Sequence, residues 1–284
     1  MARKTFKKNI CNPNVYKNKT RKSNTCLPKK TMIKLKKMYN LRHPDDEIKA
    51  SNTNTSTIRN ELKHKLQNVC VSERCWIEEL NPENKVQLEK FFAPKRPTTW
   101  KKNNNTWLTT SDISRVMKQY ETTYPNYKFL GPCSIDFEHK TDGGMCIYPE
   151  ICNLNLETER QNGINIIGTV YNTDKHTQSG SHWICSYIDI DKGIFFFFDS
   201  VGDKCPREIK QYYNKLKRTL SQKKLRFKTT NGFEHQRGET ECGMYCLYVL
   251  INLLEQKISM ESLRKNRLSD TRINKFRRIY YDEL

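Results

Sequence analysis

HWICSYIDIDKGIFFFFDS, residues 182–200, decides how the chain folds. Two short runs rich in isoleucine and aromatic residues flank Asp191, Lys192 and Gly193, which reads as an antiparallel hairpin. The second run, Ile194 to Phe198, is too apolar for an exposed edge and belongs at the centre of a sheet. A turn near Asp191 sets His182 opposite residue 199 or 200, so Asp199 comes to lie beside the imidazole.

Working outward, the segments 127–137, 164–173 and 225–230 have the same short β-branched or aromatic character, bounded by Gly, Asn or Pro. Helical periodicity replaces it in three places. TSDISRVMKQYETTY (110–124) opens on Ser/Asp capping chemistry. In the second, 206–222, Pro206 sits at the first turn and Ile209, Tyr212, Tyr213, Leu216 and Leu220 share one face. The third, GMYCLYVLINLLEQKI (243–258), is almost continuously apolar for eleven positions and is long enough to be a buried central helix. This order predicts an α+β domain, a mixed sheet flanked by helices.

Upstream, LPKKTMIKLKKMYN (27–40) and STIRNELKHKLQNV (56–69) predict two helices, the second with Ile58, Leu62, Leu66 and Val69 on one face and Ser56 or Thr57 as its N-cap. APKRPTTWKKNNNT (93–106) has the composition of a connection. The expected organisation is a basic disordered tail (1–26), a small helical arm domain (27–100) and a larger core domain (101–284). Residues 1–40 hold thirteen Lys or Arg and no Asp or Glu, within a chain of net charge +20. Such a block attracts polyanions by releasing their counterions, so DNA is the expected partner of residues 1–40, with a solvated basic tail as the plainer reading.

No stretch has the roughly 20 apolar residues of a membrane span, and no signal-peptide pattern opens the chain. A soluble, intracellular, non-secreted protein with no membrane partner is expected, and the terminal YDEL (281–284) reads as chance. Eleven cysteines without a secretory signal predict reduced thiols. Neither Cys70 with Cys75 nor Cys146 with Cys152 has the C-x2-C spacing of a zinc site, so no metal and no organic cofactor is expected.

In HQRGETECGMYC (235–246), Cys242 lies where the central helix begins, and unpaired backbone N–H groups at a helix N-terminus favour a thiolate. Its base must come from upstream, because all six histidines precede it. His182, held by Asp199, fits best; His235 lacks an obvious carboxylate, and Cys246, one turn on, reads as core. Gln236 is a neutral donor able to complete an oxyanion hole with the Cys242 N–H. Taken singly, each of these residues has an ordinary structural explanation; the joint arrangement is harder to dismiss.

His182-Trp183, Asp199-Ser200 and Gln236-x5-Cys242-Gly243 resemble the motifs of the cysteine peptidase family that includes adenain and the SUMO-specific proteases. With a basic helical arm ahead of the core, the chain looks most like the polyprotein-processing proteases of large nucleocytoplasmic DNA viruses, that of African swine fever virus among them. The resemblance implies a papain-like core in permuted order, with Cys242 as nucleophile, His182 as base, Asp199 as its partner, Gln236 as oxyanion donor and Trp183 as the wall of a narrow substrate channel. It also implies a viral thiol endopeptidase that cleaves structural precursor polyproteins at Gly-Gly-type sites during virion maturation, in the host cytoplasm (viral factory) and the virion. The alternatives are a SUMO or ubiquitin-like protein deconjugase and a nucleic-acid-binding virion protein that keeps a protease-like scaffold.

Overall fold

The computed structural model describes residues 6–7, 9–17, 25–103, 105–221 and 224–283. The chain divides into two compact units, Met1–Arg96 together with Arg278–Leu284, and Pro97–Arg277. The tail Arg278–Leu284 therefore groups with the N-terminal segment rather than with the unit that precedes it in sequence.

In the larger unit, helix α4 (Thr110–Thr123) is closed by a capping box between Thr109 and Asp112 and leads into a five-stranded sheet. The strands are β1 (Tyr127–Ser134), β2 (Ile166–Asn172), β3 (Trp183–Asp189), β4 (Ile194–Phe198) and β5 (Arg226–Thr229), lying in that order across the sheet. The outer pairs β1/β2 and β4/β5 are parallel, and β2/β3 and β3/β4 are antiparallel. This is the expected α+β class, with a mixed sheet flanked by helices.

The apolar run of β4 is explained by cover on both faces. Phe195 and Phe197 pack in one cluster with Ile209, Tyr212 and Leu216 of α5 (Arg207–Lys217). Phe198 meets Tyr245 of α6 (Cys242–Leu254), every residue of which is buried. The β3/β4 turn needs Gly193: its φ is +61°, and a Cβ there would stand 2.6 Å from the Lys224 carbonyl oxygen. The register pairs Cys185 with Phe198 and Asp189 with Ile194. Continued outward it sets His182 opposite Val201, one residue beyond the pairing expected from the sequence.

In the smaller unit, α1 (Lys29–Arg42) buries Met32, Leu35 and Tyr39, and α2 (Thr55–Lys65) buries Ile58 and Leu62. Asn54 caps α2 through the Thr57 N–H, so the cap falls before Ser56 and Thr57, and Val69, beyond the helix end, is exposed. A third helix, Glu73–Leu80, was not read from the sequence; it buries Trp76, Ile77 and Leu80. Arg74 donates to the Glu89 carboxylate, the Ala93 carbonyl and Asp282 of the tail, which also accepts from Asn9. Within the YDEL stretch, Tyr281 and Asp282 are thus buried, while Glu283 is exposed.

Two expectations are corrected. The disorder expected for residues 1–26 fails where they are described, since Phe6 packs on Trp76, Asn9 and Cys11 are buried, and the Ala93 N–H donates to the Ile10 carbonyl. The rest of that tail, 1–5, 8 and 18–24, lies outside the described residues. The cysteines are not all reduced either: Cys11–Cys26, Cys70–Cys75 and Cys146–Cys152 form disulfides, whereas Cys133, Cys185, Cys205, Cys242 and Cys246 are free and buried. Folding brings each pair within disulfide reach, with Cα separations of 5.1, 5.4 and 6.4 Å. Among the described residues no helix is long and apolar enough to cross a membrane.

Candidate active site

Helix α6 begins at Cys242, which is 1% exposed. The first N–H groups of a helix have no acceptor within it, so the thiol sits where a negative charge is stabilised. His182 lies one residue before β3 and Asp199 one residue after β4, both on the connections beyond the last regular pair.

His182 Nε2 is 2.8 Å from Asp199 Oδ1. A carboxylate only accepts, so Nε2 carries the proton, and Nδ1 is left for the Cys242 thiol, with which the imidazole is also hydrogen-bonded. Burial on its own pulls the pKa of His182 down. The hydrogen bonds to Asp199 and Cys242, with the negative charge each can carry, outweigh burial together and push it up to about 10. A neutral imidazole between a carboxylate and a thiol can take the thiol's proton on Nδ1 and, as the imidazolium, hold the resulting ion pair.

Gln236 is buried on the loop before α6. Its Nε2 donates to the Gly238 carbonyl at 2.8 Å, and its Oε1 accepts from Ser200 Oγ at 2.7 Å. The loop is pinned by Asp270, which accepts from the N–H groups of Arg237 and Gly238 and from the Tyr245 hydroxyl.

Trp183 is buried, and its indole N–H donates to the Leu108 carbonyl at 2.9 Å. Gly243 lies against both: a Cβ there would stand 3.1 Å from Leu108 Cβ and 3.3 Å from Trp183 Cδ1. Trp183 forms part of the wall of a cleft of about 420 Å³ whose lining includes Trp107, Leu108, Ser134, Asn172 and His176. Sequence reasoning missed Trp107 and Leu108, which fall between the connection 93–106 and the helix expected from residue 110. It also missed Arg277, whose guanidinium donates to the carbonyls of Thr106 and Thr240 and lies over the Trp100 ring. No local pattern announces a contact between residues 106 and 277.

Thus His182, Asp199 and Cys242 come together, Gln236 is tied to the residue after Asp199, and Trp183 packs over the start of α6. The competing positions lie apart from this chemistry. Burial, then a hydrogen bond with Cys185, pushes the Cys246 thiol up. Burial pulls His235 down to about 4, and its Nδ1 accepts the Leu268 N–H, which leaves it a neutral structural side chain. Among the described residues no group of three His, Cys, Asp or Glu could hold a metal ion.

No protein-family model matches the chain. A protein of Acanthamoeba polyphaga mimivirus that carries a thiol-protease name is 26% identical over 298 residues, spanning 96% of this chain and 93% of the relative. A cysteine protease of African swine fever virus is 27% identical over 202 residues, 67% of this chain and 72% of its own. The crystal structure of the African swine fever virus protease superposes with a TM-score of 0.68 at 22% identity, covering 98% of this chain and 97% of that one. This chain is a homologue of viral thiol and cysteine proteases and shares the α+β fold of the African swine fever virus enzyme.

Proposed function

We propose that the chain is an endopeptidase that cleaves structural precursor polyproteins at Gly-Gly-type sites during virion maturation, in the host cytoplasm and the virion. The observation that carries this reading is the imidazole of His182 held between Asp199 at 2.8 Å and the Cys242 thiol. Cys242 gives its proton to His182 and attacks the scissile carbonyl. The oxyanion is met by the Cys242 N–H and the Gln236 amide, and the imidazolium protonates the leaving amine as the acyl-enzyme forms. Water activated through His182 then releases the acyl product, while Asp199 keeps the ring in one tautomer. The packing of Trp183 on Leu108 and Gly243 supports a channel for residues without bulky side chains. The basic residues 1–40 would hold the enzyme near viral DNA.

Cleavage of Gly-Gly-containing peptides by wild type and by Cys242→Ala tests the proposal; turnover lost in the variant supports it, and no turnover by wild type sinks it. A second reading, SUMO deconjugation, draws on the African swine fever virus relative that is named a SUMO-1 cysteine protease. A SUMO fusion assayed beside the peptides separates the two.

A further inference from the structure

Gln236 has two ends, and only one is a donor. The Gly238 carbonyl can only accept, so the atom facing it at 2.8 Å is Nε2, and Oε1 is the atom turned toward Ser200. Ser200 Oγ then donates to Oε1 at 2.7 Å. Ser200 is itself fixed, because its carbonyl accepts the backbone N–H groups of both His235 and Gln236 at 2.8 Å, and it is 1% exposed. It follows Asp199, whose Oδ1 accepts from His182 and from the Val201 N–H at 3.0 Å. One tight turn, Asp199 to Val201, therefore holds the carboxylate on the imidazole and the far end of the Gln236 amide.

We infer that Ser200 is a positioning residue for the oxyanion site: its hydroxyl locks the Gln236 amide so that the second Nε2–H stays directed toward the substrate carbonyl. This rests on the reading of Gln236 as the oxyanion donor. Without the hydroxyl, Oε1 is left buried without that donor, and the amide is held at its Nε2 end alone, by the Gly238 carbonyl. The nucleophile and its base are untouched by this, so transition-state stabilisation is lost while thiolate formation is kept.

The test measures kcat and KM on the best substrate from a set of Gly-Gly-containing peptides, and the iodoacetamide alkylation rate of Cys242, in wild type, Ser200→Ala, Gln236→Ala and the double variant. A donor lost from an oxyanion site costs about 10²-fold in kcat, which sets the expectation for Gln236→Ala. Ser200→Ala should lose about tenfold in kcat with KM and alkylation rate near wild type, and the double variant should be no slower than Gln236→Ala, because the two residues act as one unit. Ser200→Cys, close in size and a weaker donor, should fall between wild type and Ser200→Ala and serves as the folded control if Ser200→Ala melts early. If Gln236→Ala keeps full kcat, or wild type cleaves none of the peptides, the reading of Gln236 fails and this inference with it. If Gln236→Ala is slow but Ser200→Ala matches wild type, or the two losses multiply in the double variant, the inference alone fails. A fall of kcat and alkylation rate together in Ser200→Ala marks a merely structural role and overturns it as well.

Discussion

His182 Nε2 reaches Asp199 Oδ1 at 2.8 Å although both residues lie outside the paired part of their hairpin, which ends at Cys185 and Phe198. The contact is made by side chains across splayed strand ends. Asp199→Asn can still accept the Nε2–H but removes the charge that helps raise the pKa of His182. Peptide cleavage should fall about tenfold, and the alkaline limb of kcat/KM, near pH 10 in wild type, should move to lower pH. A limb that stays in place would refute a charge role for Asp199.

The same shift makes folding depend on pH. The folded pKa of His182 is about 10, above the ordinary imidazole value of 6.5, so the stabilisation is complete below about pH 6.5 and is lost as pH rises through about 10. The melting-temperature gap between wild type and His182→Ala should be widest at about pH 6, narrow steadily as pH rises, and close above pH 10. Thermal melts from pH 6 to 11 would read it, and a gap that widens with pH would contradict it.

Gly243 separates stability from activity. Alanine is the better helix former by about 1 kcal/mol, which offsets the crowding of Leu108 Cβ at 3.1 Å and Trp183 Cδ1 at 3.3 Å. Gly243→Ala should therefore melt close to wild type but cleave peptides about tenfold more slowly, because Trp183 must yield. Unchanged turnover would show that the packing of Trp183 is not needed.

The five free thiols are all buried, so chemistry rather than access should distinguish them. Burial pushes the Cys246 thiol up, whereas Cys242 has His182 as a partner. Fast iodoacetamide labelling should disappear in Cys242→Ala and persist in Cys246→Ala, with peptide mapping as the check.

In the smaller unit, Arg74 and Asp282 are 4% and 1% exposed in their side chains and 3.2 Å apart. Removing one partner of an isolated buried pair costs about 3–5 kcal/mol, and because Arg74 keeps Glu89 the loss here should fall below that. Asp282→Ala should lower the unfolding midpoint in urea accordingly; a midpoint within error of wild type would mean that Glu89 alone satisfies Arg74.

Much of the core was legible for a simple reason: a strand such as Ile194–Phe198 and a helix such as Cys242–Leu254 are apolar throughout because both are buried on all sides. The proximity of His182 to Asp199 followed from hairpin geometry, even though the register was misjudged by a residue. What stayed hidden depends on residues far apart in sequence. Leu108 holds Trp183 across 75 positions and Arg277 holds Thr106 across 171, and neither partner carries a local sign of it. The packing of residues 9–12 against Phe91–Ala93 escaped for the same reason, since a polar, basic composition speaks to the average of a segment and not to the few side chains that anchor it.

Asp282 bonds to Asn9, a residue 273 positions earlier, and the whole of the larger unit lies between them. On the ribosome, this gives the two units an order of completion. The larger unit, Pro97–Arg277, has all of its residues before the tail is made, whereas the smaller one must wait for its last contacts, from Asp282 to Arg74 and Asn9, until residue 282 is in place. A chain cut after Arg277 would keep every residue of the larger unit and leave the smaller one without the segment that closes it.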